Sequence, residues 1–372
     1  MASRAFGIIA SPSTRVRVEG LHDYRPIGAF SFLGRFRVID FPISNMSNSG
    51  MDRVMVFIAA RPRSIAEHIG SGRHYNINSK RGKIQLLFTQ NNNPNDIYNT
   101  DIAAYQENRE IIARMHQEYV IITPSYMVFR QNFDTLLEEH IESKADITML
   151  YHRVENAKET CLNCNVLTLN KQKGVQSIDE NLGNAKEKNI SMDTYVMHKE
   201  LFLDLIKEAR KESSAFTLAD IINMKASELD VRAVGHRGFF AAITSLKDYF
   251  YANQNLLDFD RAQDFFREDW PFYTRTNDSC PTQYYEGAKV NHSFISNGCL
   301  IEGTVEDSII GRNVWIKKGA VVKNSIVLAY SLIDEGVHIE HEVVDKWAQI
   351  KHVKELISTD DKPGYVRRSD IL

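Results

Sequence analysis

Residues 309–339 read IIGRNVWIKKGAVVKNSIVLAYSLIDEGVHI. Ile310, Ile316, Val322 and Leu328 recur every six residues. So do Val314, Ala320, Ile326 and Leu332, and so do Val321, Val327, Ile333 and Ile339. A helix repeats at about 3.6 residues and a flat strand at about 2. A period of six fits a parallel β-helix in which each coil is made of three such repeats. Gly303, Gly311, Gly319 and Gly336 are placed to turn the chain between short strands. The competing reading is an antiparallel sandwich, because short strands mimic many periods. His338, His341 and His352 fall in the last coils without a fixed ligand spacing, so they read as a solvated face rather than a metal site.

Upstream the grammar changes. Phe6–Ala10, Arg53–Ala59, Lys83–Phe88, Tyr119–Thr123 and Asp146–Tyr151 are short apolar runs, several rich in β-branched and aromatic residues. Between them, Ile102, Tyr105, Arg109, Ile112 and His116 keep helical spacing across Asp101–Gln117, and Phe133–Ile141 predicts another helix. Buried strands alternating with helices predict a mainly parallel sheet covered on both faces. Ligands of such sheets sit at the carboxyl ends of the strands, which directs attention to the segments after Ala10, Ala59 and Thr123. Trp270-Pro271 and Cys280-Pro281 bracket a polar stretch, and proline holds the preceding residue extended, as in a linker.

The chain has 372 residues, 45 Lys plus Arg against 48 Asp plus Glu, a net charge of −3 and 43% hydrophobic residues. That balance argues against nucleic-acid binding through bulk charge and against an acidic disordered chain. No apolar stretch is long enough to span a bilayer, and the short apolar run near the N-terminus makes a poor signal peptide. A cytoplasmic protein without a membrane partner is expected. Four cysteines are too few for a disulfide scaffold. Cys161-Leu-Asn-Cys164 has no second pair to complete a zinc site, so it reads as structural.

Gly34-Arg-Phe-Arg-Val-Ile-Asp-Phe-Pro-Ile-Ser-Asn45, continuing to Gly50, resembles the GGKYRIIDFPLSNCxNSG segment of glucose-1-phosphate adenylyltransferases. Glu118–Ile122 is similar to the strand before the family's GDHIY motif, Ser191–Met197 to SMGIYVF, and Ser245–Asn253 to TLEAYWKAN. Asp269-Trp-Pro271 resembles NWP, and Asn291–Cys299 resembles the NSLISxGCxI start of its β-helix. The matches run in order over nearly the whole chain. The resemblance implies a nucleotidyltransferase-like domain over 1–258, a linker over 259–287 and a left-handed β-helix over 288–372.

The family's reaction joins a nucleoside triphosphate to a sugar phosphate and releases pyrophosphate. It calls for a glycine-rich loop around the triphosphate, carboxylates for magnesium and cations for the transferred phosphoryl group. The stretch matching the family's GGxGxRL loop is Ala10-Ser-Pro-Ser-Thr-Arg-Val16, with Pro12 where the loop needs freedom and N–H donors. Only Arg15 keeps the family's residue. The aspartate positions of GDHIY and RDVGT are Ser125 and Ala242, and the lysine of RAKP aligns with Ile27. The sugar-binding FVEKP motif has no clear counterpart near Gln176–Glu180.

These substitutions predict a lost magnesium site, no cofactor and little or no turnover. The pattern resembles the non-catalytic GlgD-type partner subunit found beside the catalytic subunit in glycogen synthesis. The resemblance implies a mixed tetramer with the catalytic ADP-glucose pyrophosphorylase subunit. Arg35 and Arg37, with Arg25 and Arg15, are candidates to bind an anionic effector such as a sugar bisphosphate. Arg61 and Arg63 extend that patch; the opposing reading makes all of them solvated surface groups. Two other readings stand beside this one, an active adenylyltransferase with a divergent site and a hexapeptide-repeat acyltransferase. The large α/β domain speaks against the last.

Overall fold

The computed structural model describes residues 3–13, 15–59, 61–77, 82–88, 100–212 and 214–372. Thr14 of the substituted loop and Met1 and Ala2 lie outside them.

The N-terminal domain is built on a nine-stranded sheet. Ala5–Ala10 lies between Tyr119–Pro124 and Arg53–Ile58, parallel to both, and Lys83–Phe88 continues the parallel run at the edge. On the other side Lys188–His198 runs antiparallel to Tyr119–Pro124, to Ile147–Val154 and to Asn165–Leu169; Val175–Glu180 pairs with Asn165–Leu169, and Val231–Gly235 pairs in parallel with Ile147–Val154. Successive residues of each buried strand point to opposite faces. Ile9, Val54 and Val56 therefore enter one apolar cluster, while Ile8, Met55 and Phe57 enter a second on the other face. The mainly parallel sheet covered on both faces is what the runs of apolar residues predict.

The helix expected over Asp101–Gln117 is broken. Asp101–Glu107 and Arg109–Ala113 are separate helices, divided at Asn108. The Asn108 side-chain amide donates to the Ala104 carbonyl at 3.0 Å. Phe133–Ser143 forms as expected, with the Asn132 side chain accepting from the N–H groups of Asp134 and Thr135.

Within residues 259–287 the chain is packed down rather than free. Helix Phe259–Phe265 brings Phe265 against Phe41 and Phe272 at ring-centroid distances of 5.6 and 4.8 Å. The Trp270 indole N–H donates to Asn45 Oδ1 at 3.0 Å, and the Tyr273 N–H to Ser44 Oγ at 2.9 Å. Gln283–Tyr284 already pairs with Leu300–Ile301 of the following domain.

That domain consists of three parallel sheets of five strands each, the left-handed β-helix expected from the repeat. Its middle coils are one residue shorter than three full hexapeptides. Val305 pairs with Val322 and Val322 with Ile339, seventeen residues apart. Ile310, Ile316 and Val322 keep the step of six, but Ile310 pairs with Val327 and not with Leu328. Leu328 turns out of the coil and is buried in the N-terminal domain's core cluster. The glycines divide as well. Gly319 and Gly336 turn the chain at φ +74° and +68°, whereas Gly303 and Gly311 stand where neighbouring coil backbone leaves no room for a Cβ. Among the described residues, no helix is long and apolar enough to cross a membrane.

Candidate functional site

The carboxyl ends of Ala5–Ala10, Arg53–Ile58 and Tyr119–Pro124 open on one crevice, as the topology of an open parallel sheet dictates. Ser11 stitches two of these ends together. Its hydroxyl donates to the Phe57 carbonyl at 2.9 Å and accepts from the Ala59 N–H at 3.2 Å. Beside it lies a cleft of about 330 Å³ lined by Ser11, Pro12, Ser13 and Arg15 and by Thr100, Asp101 and Tyr105. Arg15 pairs with Glu180 at 3.3 Å across this opening.

Asp101 is anchored by backbone donors, Ile102 N–H at 2.8 Å and Leu218 N–H at 3.1 Å. Burial pushes its carboxyl up to about 7, against the pull of those two hydrogen bonds. Among the described residues, the buried Tyr105 hydroxyl has no hydrogen-bond partner. Sequence reading missed both residues, because they sit on what reads as an ordinary amphipathic helix.

The positions picked out as substituted come together. Ser125 follows the strand end and donates its N–H to the Ala10 carbonyl at 2.9 Å. Ala242 pairs with Met127, and the next N–H, of Ile243, donates to the Tyr126 carbonyl at 3.0 Å. Ser125 and Ala242 thus lie on adjoining backbone at the floor of the crevice, both buried. Ile27 is fully buried in the short turn Ile27–Ala29, so an apolar side chain suits its place and a lysine would not.

Asp193 was not singled out in the sequence. It stands in a bulge of Lys188–His198, at φ +43°, where the matched SMGIYVF strand has glycine. Its Oδ2 accepts from the Tyr126 hydroxyl at 2.7 Å and its Oδ1 from the Asn165 side-chain amide at 2.9 Å.

Residues 17–258 match the nucleotidyl transferase family model, and residues 281–363 match the GlmU-like C-terminal hexapeptide model. The chain is 30% identical to the glycogen biosynthesis protein GlgD of Geobacillus stearothermophilus over 328 residues, 87% of this chain and 84% of that protein. It is 26% identical to the GlgD protein of Bacillus subtilis over 368 residues, 98% of this chain and 96% of that one. The glucose-1-phosphate adenylyltransferase of Clostridium perfringens (strain 13) is 27% identical over 311 residues, 82% of this chain and 78% of the enzyme. The chain belongs to the nucleotidyl transferase family, in its glucose-1-phosphate adenylyltransferase and GlgD branch.

Magnesium is the metal this family implies, and the residues present do not fit it. Magnesium takes hard, charged oxygen ligands in near-octahedral array. The hydroxyl of Ser125 is neutral and Ala242 offers no donor. The neighbouring carboxylates are engaged, Asp193 by Tyr126 and Asn165, and Asp101 by two backbone N–H groups. Among the described residues no three His, Cys, Asp or Glu side chains gather to hold a metal ion. Cys161 and Cys164 are buried free thiols, and Asn181 pins their loop by donating to the carbonyls of Ala157, Thr160 and Cys161.

The candidate arginines of this family member separate on inspection. Arg25 is buried and committed: its Nη2 lies 2.7 and 2.6 Å from the two oxygens of Asp345 in the β-helix. Arg61 donates to the His22 carbonyl, and Arg63 pairs with Glu67 at 2.6 Å in a solvent-exposed helical contact. Arg15 belongs to the cleft, paired with Glu180. Arg35 is exposed, its guanidinium 5.5 Å from the Phe36 ring, and its carbonyl accepts from Arg312 at 3.4 Å. Arg37 is half-buried and donates to the Ser64 carbonyl. Burial, with Arg37 and Arg25 nearby, pushes the Lys346 ammonium down to about 7. Arg35, Arg37, Arg312 and Lys346 make a cationic patch where the two domains meet. Its last two members lie some 300 residues from the first two, which is why no local motif discloses them.

Proposed function

We propose that this chain is a non-catalytic regulatory subunit of ADP-glucose pyrophosphorylase in bacterial glycogen biosynthesis. It works in the cytoplasm, in a mixed tetramer with the catalytic subunit. The observation that carries this reading is the juxtaposition of Ser125 and Ala242 at the floor of the crevice, where the family's carboxylates would hold magnesium. Loss of one metal or charge contact removes several kcal/mol of transition-state stabilisation, roughly 3 or more. Here the loop, both carboxylates and the lysine are replaced together. The folded core and the β-helix are retained, so assembly is what remains to be selected for. To bias its partner, the chain must bind the partner's active state more tightly than the inactive one.

An anionic effector, a sugar bisphosphate in this reading, binds at Arg35 and Arg37 between the domains. Of the other candidates, Arg25 is paired with Asp345, Arg61 with the His22 carbonyl and Arg63 with Glu67.

The test is an assay of ADP-glucose pyrophosphorolysis with magnesium, first on the chain alone and then with the catalytic subunit added. The expected result is no turnover alone and a several-fold change in the partner's rate. Substantial turnover alone favours the active-enzyme reading and defeats this one. No association, or an unchanged partner rate, defeats the regulatory role. Arg35→Ala with Arg37→Ala is expected to abolish the effector response of the complex while leaving its basal rate unchanged. An unchanged response removes these two residues from the effector site.

A further inference from the structure

The crevice has two halves. The open half is the cleft beside Ser11 and Asp101, whose lining includes neither Ser125 nor Ala242 nor Asp193. The other half runs from the end of Tyr119–Pro124 across Lys188–His198 towards Asn165 and Glu180, which face each other on paired strands. An acceptor joined to a nucleotide in the open half would have to lie there, because ligands of such sheets bind along the carboxyl ends of neighbouring strands.

Asp193 stands in that space. A left-handed backbone is uncommon outside glycine and costs free energy at any residue with a Cβ. The carboxylate is nevertheless held on two sides, by the Tyr126 hydroxyl at 2.7 Å and the Asn165 amide at 2.9 Å, and its own N–H donates to Ser191 Oγ at 3.2 Å. Strain kept in place by convergent hydrogen bonds points to a role for the strained residue. Tyr126 is itself buried, and it adjoins Ser125 in the chain.

We propose that Asp193, clamped by Tyr126 and Asn165, is a built-in plug that fills the acceptor half of the crevice and excludes a hexose phosphate. The proposal rests on the non-catalytic reading and deepens it: the chain is closed to the second substrate as well as stripped of metal ligands. Returning carboxylates at Ser125 and Ala242 would therefore not be enough to restore turnover.

The experiment is calorimetric titration of glucose 1-phosphate into the full-length chain, as wild type, Asp193→Gly and Asp193→Ala, with circular dichroism confirming that each is folded. Glycine accepts the left-handed backbone and opens the space; alanine opens it while keeping a Cβ, so two independent variants carry the result. Asp193→Asn, which keeps the size and polar contacts, is the control. The expected outcome is no measurable binding to wild type or Asp193→Asn, and affinity at least tenfold tighter in a folded opening variant. Binding to wild type as tight as to the opening variants overturns the plug, and so does silence in all of them. These results separate from the functional reading. Wild type that binds glucose 1-phosphate without turnover sinks only the plug, whereas wild type that neither binds it nor alters the catalytic partner sinks only the regulatory role.

Discussion

Asp101 shows how one buried group sets a measurable property. Its carboxyl titrates at about 7 in the folded chain, against 3.8 for an unperturbed aspartate. Between those values the folded chain holds a proton that the unfolded chain has released. Stability therefore falls as pH rises through that window and levels off above about 7. Asp101→Asn removes the dependence. The melting temperature of wild type, relative to this variant, is expected to drop from pH 4 to pH 7, and parallel curves would show that Asp101 is not the group responsible. The individual residues were unequally legible. Ser125, Ala242 and Pro12 could be read directly, because each sits inside a short motif that aligns without gaps. The pairing of Arg25 was not legible, because its partner Asp345 lies 320 residues away and no local pattern announces it. Asp193 passed as an ordinary strand residue until its bulge and its two anchors were seen.

The elements were legible wherever one face had to be buried. Apolar runs located five of the sheet's nine strands, and the six-residue recurrence located the β-helix. What the recurrence overstated is the coil length, since a seventeen-residue coil keeps two steps of six and shortens the third to five. Stacking in register decides this, because each coil must place its inward side chains directly over those of the next. Gly303 belongs to the same constraint. A Cβ there would lie 2.4 Å from the Ala320 carbonyl oxygen and 2.8 Å from that of Lys317, both backbone atoms of the adjoining coil. Gly303→Ala is expected to cost about 1–3 kcal/mol, the usual range for overpacking a tight interior. Urea unfolding followed by circular dichroism checks it, and a variant as stable as wild type would mean that the coils slide apart freely. Asn108 illustrates the opposite limit. Helical spacing runs straight through it, yet the helix is divided there.

For the molecule as a whole, the Arg25–Asp345 pair ties the first domain to the β-helix. The Tyr365 hydroxyl and the Lys346 N–H also donate to Asp345, at 2.9 and 2.6 Å. Arg25→Ala leaves a buried carboxylate without its countercharge, a change that typically costs about 3–5 kcal/mol. The expected result is a lower unfolding midpoint; no loss of stability would show that the pair is solvated in solution. The same junction gives a binding prediction. Lys346 titrates at about 7, so an anion bound beside it raises its proton affinity and draws a proton from buffer. Titration of a sugar bisphosphate near pH 7 in buffers of different ionisation enthalpy should report proton uptake, and buffer-independent heats would exclude Lys346 from the site.

The sequence by itself determined the two architectures, their order and the loss of the metal-binding side chains, because periodicity and short motifs are local properties carried by neighbouring residues. Only the tertiary structure decided that Arg25 pairs with Asp345, that Lys346 and Arg312 join Arg35 and Arg37, and that Asp193 is held by Tyr126 and Asn165. Each of those depends on side chains brought together by sheet register and domain contact, and burial, charge pairing and steric filling act across space without regard to distance along the chain.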